Sequence, residues 1–164
     1  FGVHIAWSHE GAEPLETGGG LLHALPLLGD APFIVVNGDV YCDVDFTRLP
    51  RAPQTLAHLV MVDPPAHSPR ADFALQHDGR LVTHGEHLLT YSGIGVYRAA
   101  LFAHWQRDVA GTPGADTDPP SFRLAPLLRA AMARNEISGE YFSGRWTDVG
   151  TPGRLEALDA QLRG

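Results

Sequence analysis

The chain has 164 residues, 44% hydrophobic and 19% charged, which is enough apolar material for one domain with a buried core. Its apolar runs are short and interrupted, which argues against a membrane-spanning helix, and the composition is not that of a disordered chain. A formal charge of −7 argues against nucleic acid as a partner. It leaves room for a small phosphorylated ligand, neutralised locally by a metal ion and one or two basic side chains.

The chain opens without Met at Phe1-Gly-Val-His-Ile-Ala-Trp7, and residues 3 to 7 read as a short strand. No basic, apolar and small-residue leader precedes them. A start in mid-strand leads us to expect that an upstream portion is missing. Glu16-Thr-Gly-Gly-Gly20 follows a polar loop and runs into Leu21, Leu22, Leu25 and Leu28, whose spacing predicts a helix with the glycines at its N-terminus. Pro26 is expected to kink or close that helix. Phe33-Ile-Val-Val36 is a continuous apolar run, predicted to be a strand covered on both faces, as in parallel sheets, and Leu56 to Val62 is a second. Cys42, the only cysteine, permits neither an internal disulfide nor a Cys-based zinc site. It reads as a free thiol in a reducing, cytoplasmic setting.

Further along, residues 72–76 and 80–84 flank His77-Asp-Gly79, a hairpin signal. Residues 90–98 form another predicted strand, 107–120 a flexible Gly/Pro-rich loop, and 124–134 an apolar-striped helix. Thr151-Pro152 marks the start of a last helix, with Thr as N-cap and Pro in the first helical position. The order of elements predicts an α/β fold: a Rossmann-like, mixed and mostly parallel sheet flanked by helices, incomplete at the N-terminus. No repeat or linker divides the chain.

Two carboxylates stand out. Asp39, in Asn37-Gly38-Asp39, follows a buried strand, where ligands of open α/β sheets bind. It suits Mg²⁺, which takes oxygen ligands and often only one or two from protein, and equally suits a turn aspartate bonded to its own backbone. Asp148 lies just before the last helix, where the helix dipole alone favours an acid. Together the pair could hold one or two Mg²⁺ against a triphosphate. Thr17, Gly18, Gly19 and Gly20 are either a helix N-terminus open to a phosphate or base, or a plain loop. Ser92 and Gly93 put a glycine inside a strand, which means either a bulge or a close ligand approach. Arg123 is a candidate phosphate ligand or a solvated charge. His58, His67, His77, His84 and His87 lack metal spacing and read as surface or packing residues.

Four segments in order, Glu16-Thr-Gly-Gly-Gly20, Val36-Asn-Gly-Asp39, Tyr91-Ser-Gly-Ile94 and Trp146-Thr-Asp-Val-Gly-Thr151, resemble the sugar-1-phosphate nucleotidyltransferase family over nearly the whole chain. Leu15 to Gly20 and Ala24 to Gly29 look most like its branch of N-acetylmuramate-1-phosphate uridylyltransferases. The resemblance implies transfer of UMP from UTP to a sugar 1-phosphate, with Mg²⁺ on Asp39 and Asp148 and release of pyrophosphate, in cytoplasmic cell-wall recycling. It further implies that Glu16, Thr17, Gly18, Gly19, Gly20, Asn37 and Gly38 border the nucleotide. Ser92 and Gly93 would border the sugar, and Arg123 would lie near its phosphate. The family's opening strand and Gly-rich Arg loop, with the Lys that follows, have no match here. The chain is therefore expected to be the C-terminal two-thirds of one domain and to be inactive alone. Asp43-Val-Asp45 leaves open a metal-dependent glycosyltransferase, and the missing loop leaves open a non-catalytic sugar-nucleotide-binding regulator.

Overall fold

The computed structural model describes residues 2–66 and 71–164, so Phe1 and His67 lie outside the described residues. Helix α1 (Glu16–Leu28) carries the glycines in its first turns rather than ahead of it. Gly18 and Gly19 are buried against the 120–122 segment, and a Cβ on Gly18 would stand 2.6 Å from the Phe122 ring. Pro26 lies inside α1 without ending it; the helix closes at Gly29, whose N–H donates to the Leu25 carbonyl at 3.1 Å.

Strand β1 (Phe33–Val36) and strand β2 (Val40–Cys42) follow, then β3 (Ala57–Val62), whose alternate residues enter two cores. Ala57, Leu59 and Met61 join the larger core, and Val60 joins Leu49, Ile94 and Val96 on the opposite face. Strands β4 (Phe73–Leu75) and β5 (Leu81–Val82) form the expected hairpin, with Gly79 at φ +80° and Arg80 N donating to Asp78 Oδ1. The long β6 (Leu88–Tyr97) is the hub of the sheet.

Helix α2 (Trp105–Asp108) leads into residues 107–120, which are not a free loop. Val109 and Ala115 are buried there, and Ser121 N, Thr117 N and Thr117 Oγ1 all bond the Gly114 carbonyl. Helix α3 (Leu124–Met132) lays Leu124, Leu127, Leu128 and Ala131 on the larger core, the i, i+3, i+4, i+7 stripe of an amphipathic helix. Burying each of its leucines contributes about 1.5–3 kcal/mol. Strand β7 (Ile137–Tyr141), strand β8 (Trp146–Asp148) and helix α4 (Pro152–Arg163) complete the chain. Thr151 caps α4 as expected, its Oγ1 accepting from Arg154 N, yet no residue of α4 is buried.

The main sheet runs β5-β4-β6-β3-β7, with β1 also on β6, while β2 and β8 form a separate antiparallel ribbon. The sheet is mixed and flanked by helices, as expected. Its mostly parallel character is corrected: β3–β7 is parallel, while β1, β3 and β4 all meet β6 antiparallel.

Two strand readings also change. Residues 3 to 7 make no strand: among the described residues they pair with no strand, and Val3, Ile5 and Trp7 stay exposed. β1 is covered on one face only: Phe33 and Val35 pack on the larger core, while Ile34 and Val36 are 48% and 46% exposed. Among the described residues, no helix is long and apolar enough to cross a membrane.

Candidate active site

β6 changes neighbours along its length. Leu88 and Leu89 pair with β4, and Ile94 to Tyr97 pair with β1 on the same edge. Gly93 stands at the changeover with φ +79°, a conformation that disfavours a side chain. Asn37 N donates to the Gly93 carbonyl at 2.9 Å, and the Asn37 side chain lies over Gly93, so that a Cβ there would meet Asn37 Nδ2 at 2.7 Å. On the other side of the gap Asp72 Oδ2 accepts from Tyr91 N at 2.9 Å.

The β2–β8 ribbon closes over this gap. Val40 is opposite Asp148, and Val149 N donates to the Asp39 carbonyl at 2.7 Å. Trp146 Nε1 donates to the Ser92 carbonyl at 2.9 Å and ties the ribbon to β6. Gly150, next in the chain, marks the point of convergence. A Cβ on it would lie 3.0 Å from Asp39 Oδ2, 3.0 Å from Arg154 Nη2 and 3.7 Å from Asp148 Oδ2. Arg154 Nη1 lies 2.8 Å from Asp148 Oδ2.

The resulting hollow is about 290 Å³ in volume. Asn37, Asp39, Ser92, Gly93 and Asp148 line it, together with Asp72, Thr90, Tyr91, Trp146 and Arg154. Ser92 is buried and its Oγ accepts from Ile94 N, so that residue offers the hollow mainly backbone. Burial pushes the Tyr91 hydroxyl well up, partly offset by its 2.8 Å hydrogen bond with Tyr97, so Tyr91 stays neutral.

The other predicted residues stand elsewhere. Glu16 (φ +58°) and Arg123 face one another across 3.8 Å beside a second hollow, of about 490 Å³, with Gly114 and Ser121. The amides of Gly18 and Gly19 both donate to the Phe122 carbonyl, at 2.9 and 3.1 Å, and Gly20 packs on the Glu10 carboxylate. Thr17 shares the first turn of α1 with Glu16, and Gly38 turns the chain between β1 and β2. Of the Asp43-Val-Asp45 pair, Asp43 Oδ1 accepts from Arg145 N, and Asp45 Oδ1 accepts from Thr47 N and Thr47 Oγ1. The Thr47 hydroxyl and amide hold the Asp45 carboxyl below its ordinary range. Asp43 thus ties the chain after β2 to the distant Arg145 amide, and Asp45 caps the turn that follows it.

Over 98% of its length the chain is 43% identical to an N-acetylmuramate α-1-phosphate uridylyltransferase of Neisseria meningitidis, and it spans 68% of that relative. The chain belongs to the sugar-1-phosphate nucleotidyltransferase family. A relative of the same name in Caulobacter vibrioides is 29% identical over 96% of this chain and 66% of its own length. An inositol-1-phosphate CTP transferase from T. maritima shares the fold, with a TM-score of 0.68 at 14% identity over 90% of this chain and 61% of that one. No protein-family model matches the chain. It therefore spans about two thirds of the nucleotidyltransferases it resembles.

Sequence reasoning missed Arg154, Asp72 and the marker position Gly150. Arg154 had a usable signal: it is a cation in the first turn of a helix, against the macrodipole, three residues past an N-cap. Asp72 had none, since it becomes a site residue only through the gap between β4 and β1.

Proposed function

We propose that the hollow between Asp39, Asp148 and Gly93 is the sugar-phosphate and metal side of a nucleotidyl-transfer site. The transfer is that of UMP from UTP to a sugar 1-phosphate, N-acetylmuramate 1-phosphate by analogy with the relatives' names, with release of pyrophosphate. One observation carries the reading: Asp39 and Asp148 meet at Gly150 in a hollow that, among the described residues, is lined by three carboxylates and one guanidinium. Such a wall repels phosphate unless a cation accompanies it.

The donor set fits Mg²⁺. Two hard carboxylate oxygens lie within 4 Å of one point, and Mg²⁺ characteristically takes one or two carboxylates and completes its shell with water and substrate phosphate. Among the described residues no group of three or more His, Cys, Asp or Glu is placed to hold a metal. Bound there, Mg²⁺ would supply charge neutralisation for phosphoryl oxygens.

The chain's own part is positioning. Asp39 is fixed by the Val149 amide, Asp148 by the ribbon and Arg154, and the Asn37 side chain, seated over Gly93, is held at the edge of the hollow. An oxygen of the sugar phosphate attacks the α-phosphorus in line; that P–O bond forms as the bond to the β-phosphate oxygen breaks. No side-chain nucleophile is required. The roles of Glu16 to Gly20 toward the nucleotide and of Arg123 toward the sugar phosphate rest on the family resemblance alone.

The test is incubation of the full-length protein with UTP, N-acetylmuramate 1-phosphate and Mg²⁺. Formation of pyrophosphate and a UDP-sugar in equal amounts supports the proposal. Failure with every nucleoside triphosphate and sugar 1-phosphate pair, alongside binding of a ready-made sugar nucleotide, overturns it in favour of a non-catalytic binder.

A further inference from the structure

Arg154 is placed at a cost. The first turn of α4 holds no acidic residue, and a cation there opposes the helix dipole. Its Nη1 pairs with Asp148 Oδ2 at 2.8 Å, and its Nη2 and Asp39 Oδ2 both come within 3.0 Å of the same point beside Gly150. Its Nε is buried and has no hydrogen-bond partner among the described residues. The guanidinium therefore stands beside the paired acids, in contact with one of them, with one N–H still to be satisfied. The helix that carries it has no fully buried residue, so its packing against the rest of the chain is light.

We propose that Arg154 is a resident counter-cation that competes with a divalent cation for Asp148 and couples cation entry to arrival of a phosphate. This rests on the metal reading given above. With no phosphate present, Arg154 neutralises the acid pair and weakens cation binding. When a triphosphate arrives, its oxygens accept the guanidinium, including the unsatisfied Nε–H, and Asp148 is released to the cation. Arg154 is thus a positioning residue whose effect is exerted through Asp148.

The test measures Mn²⁺ binding to the full-length protein by electron paramagnetic resonance and calorimetry, with and without UTP. The proteins compared are wild type, Arg154→Ala, Arg154→Lys and Asp39→Asn. Arg154→Ala is expected to bind free Mn²⁺ about tenfold more tightly than wild type, the scale of one part-exposed ion pair. The gain in Mn²⁺ affinity on adding UTP should shrink in Arg154→Ala, and Arg154→Lys should restore the wild-type pattern. Free Mn²⁺ binding that is unchanged or weaker in Arg154→Ala, while Asp39→Asn abolishes it, overturns the counter-cation and leaves the metal reading standing. Mn²⁺ binding indifferent to Asp39 in every variant overturns both. Folding of each variant is checked by its thermal transition, and a tighter Mn²⁺ site cannot arise from an unfolded one.

Discussion

The amide of Val149 donates to the carbonyl of Asp39 at 2.7 Å, so the backbone beside one acid is fastened to the backbone of the other. Pairing of Val40 with Asp148 continues that fastening along the ribbon. The convergence of the two carboxylates is therefore built by main-chain hydrogen bonds and does not depend on a ligand. Side-chain substitutions can test the chemistry without dismantling the frame.

Asp39→Asn and Asp148→Asn keep size and most hydrogen-bonding capacity but remove a charge. Each is expected to lower nucleotidyl transfer by about a hundredfold or more, the scale of losing one electrostatic stabiliser in an active site. The thermal transition of Asp39→Asn should stay near that of wild type. Near-normal pyrophosphate release by either variant would remove the metal assignment.

Gly150→Ala places a methyl group 3.0 Å from Asp39 Oδ2 and from Arg154 Nη2. Both are ends of side chains and can give way, so the fold should survive while the acids are pushed out of register. A loss of about tenfold to a hundredfold in kcat is expected, because small misplacements near a reacting centre are costly. Steady-state kinetics beside a denaturation curve check it: unchanged kcat with a lowered midpoint would mean the glycine serves stability alone.

Gly93→Ala meets two obstacles, a φ of +79° and the Asn37 side chain at 2.7 Å. The backbone strain alone costs about 1–3 kcal/mol. The expected outcome is a lower denaturant midpoint with an unchanged slope. Pairing this change with Asn37→Gly should recover part of the loss by removing the clash but not the strain.

Asp108 carries the clearest pH dependence. Burial works to raise its carboxyl, but hydrogen bonds from Arg134 and Arg107 outweigh it and bring it below its ordinary value of 3.8. A carboxylate lowered by folding stabilises the native state above its unfolded value, and that contribution fades as pH falls through the folded value. Asp108→Asn should therefore cost about 1–3 kcal/mol at pH 7, the range for losing hydrogen bonds to charged groups. The gap from wild type should close as pH drops below 3.8, read by urea denaturation across pH. A gap independent of pH would show that the ion pairs are not its source.

Much of the fold was legible because it is local. The Asp78-Gly79 hairpin, the Thr151–Pro152 cap and the leucine stripe of α3 each follow from a few adjacent residues. β2 and β8, three residues each, carry no period long enough to read, and they matter most to the site. The direction of β6 against its neighbours is a property of pairing and not of any segment, so the sheet was read as more parallel than it is. Asp39, Asp148 and Gly93 were singled out by their places after or within strands and by family likeness, and the fold brings the three to one hollow. Arg154 and Asp72 join them only once the ribbon is folded over the gap.

The half-covered β1 has a practical side. Ile34 and Val36 show their apolar side chains to water, among the described residues only β6 pairs with β1, and Val3, Ile5 and Trp7 add further exposed apolar surface. An apolar face beside an unpaired strand edge invites a second chain to add on. This stretch of polypeptide, prepared alone, should self-associate as its concentration rises. Charged replacements at Ile34 and Val36 are the first remedy to try in making a well-behaved sample.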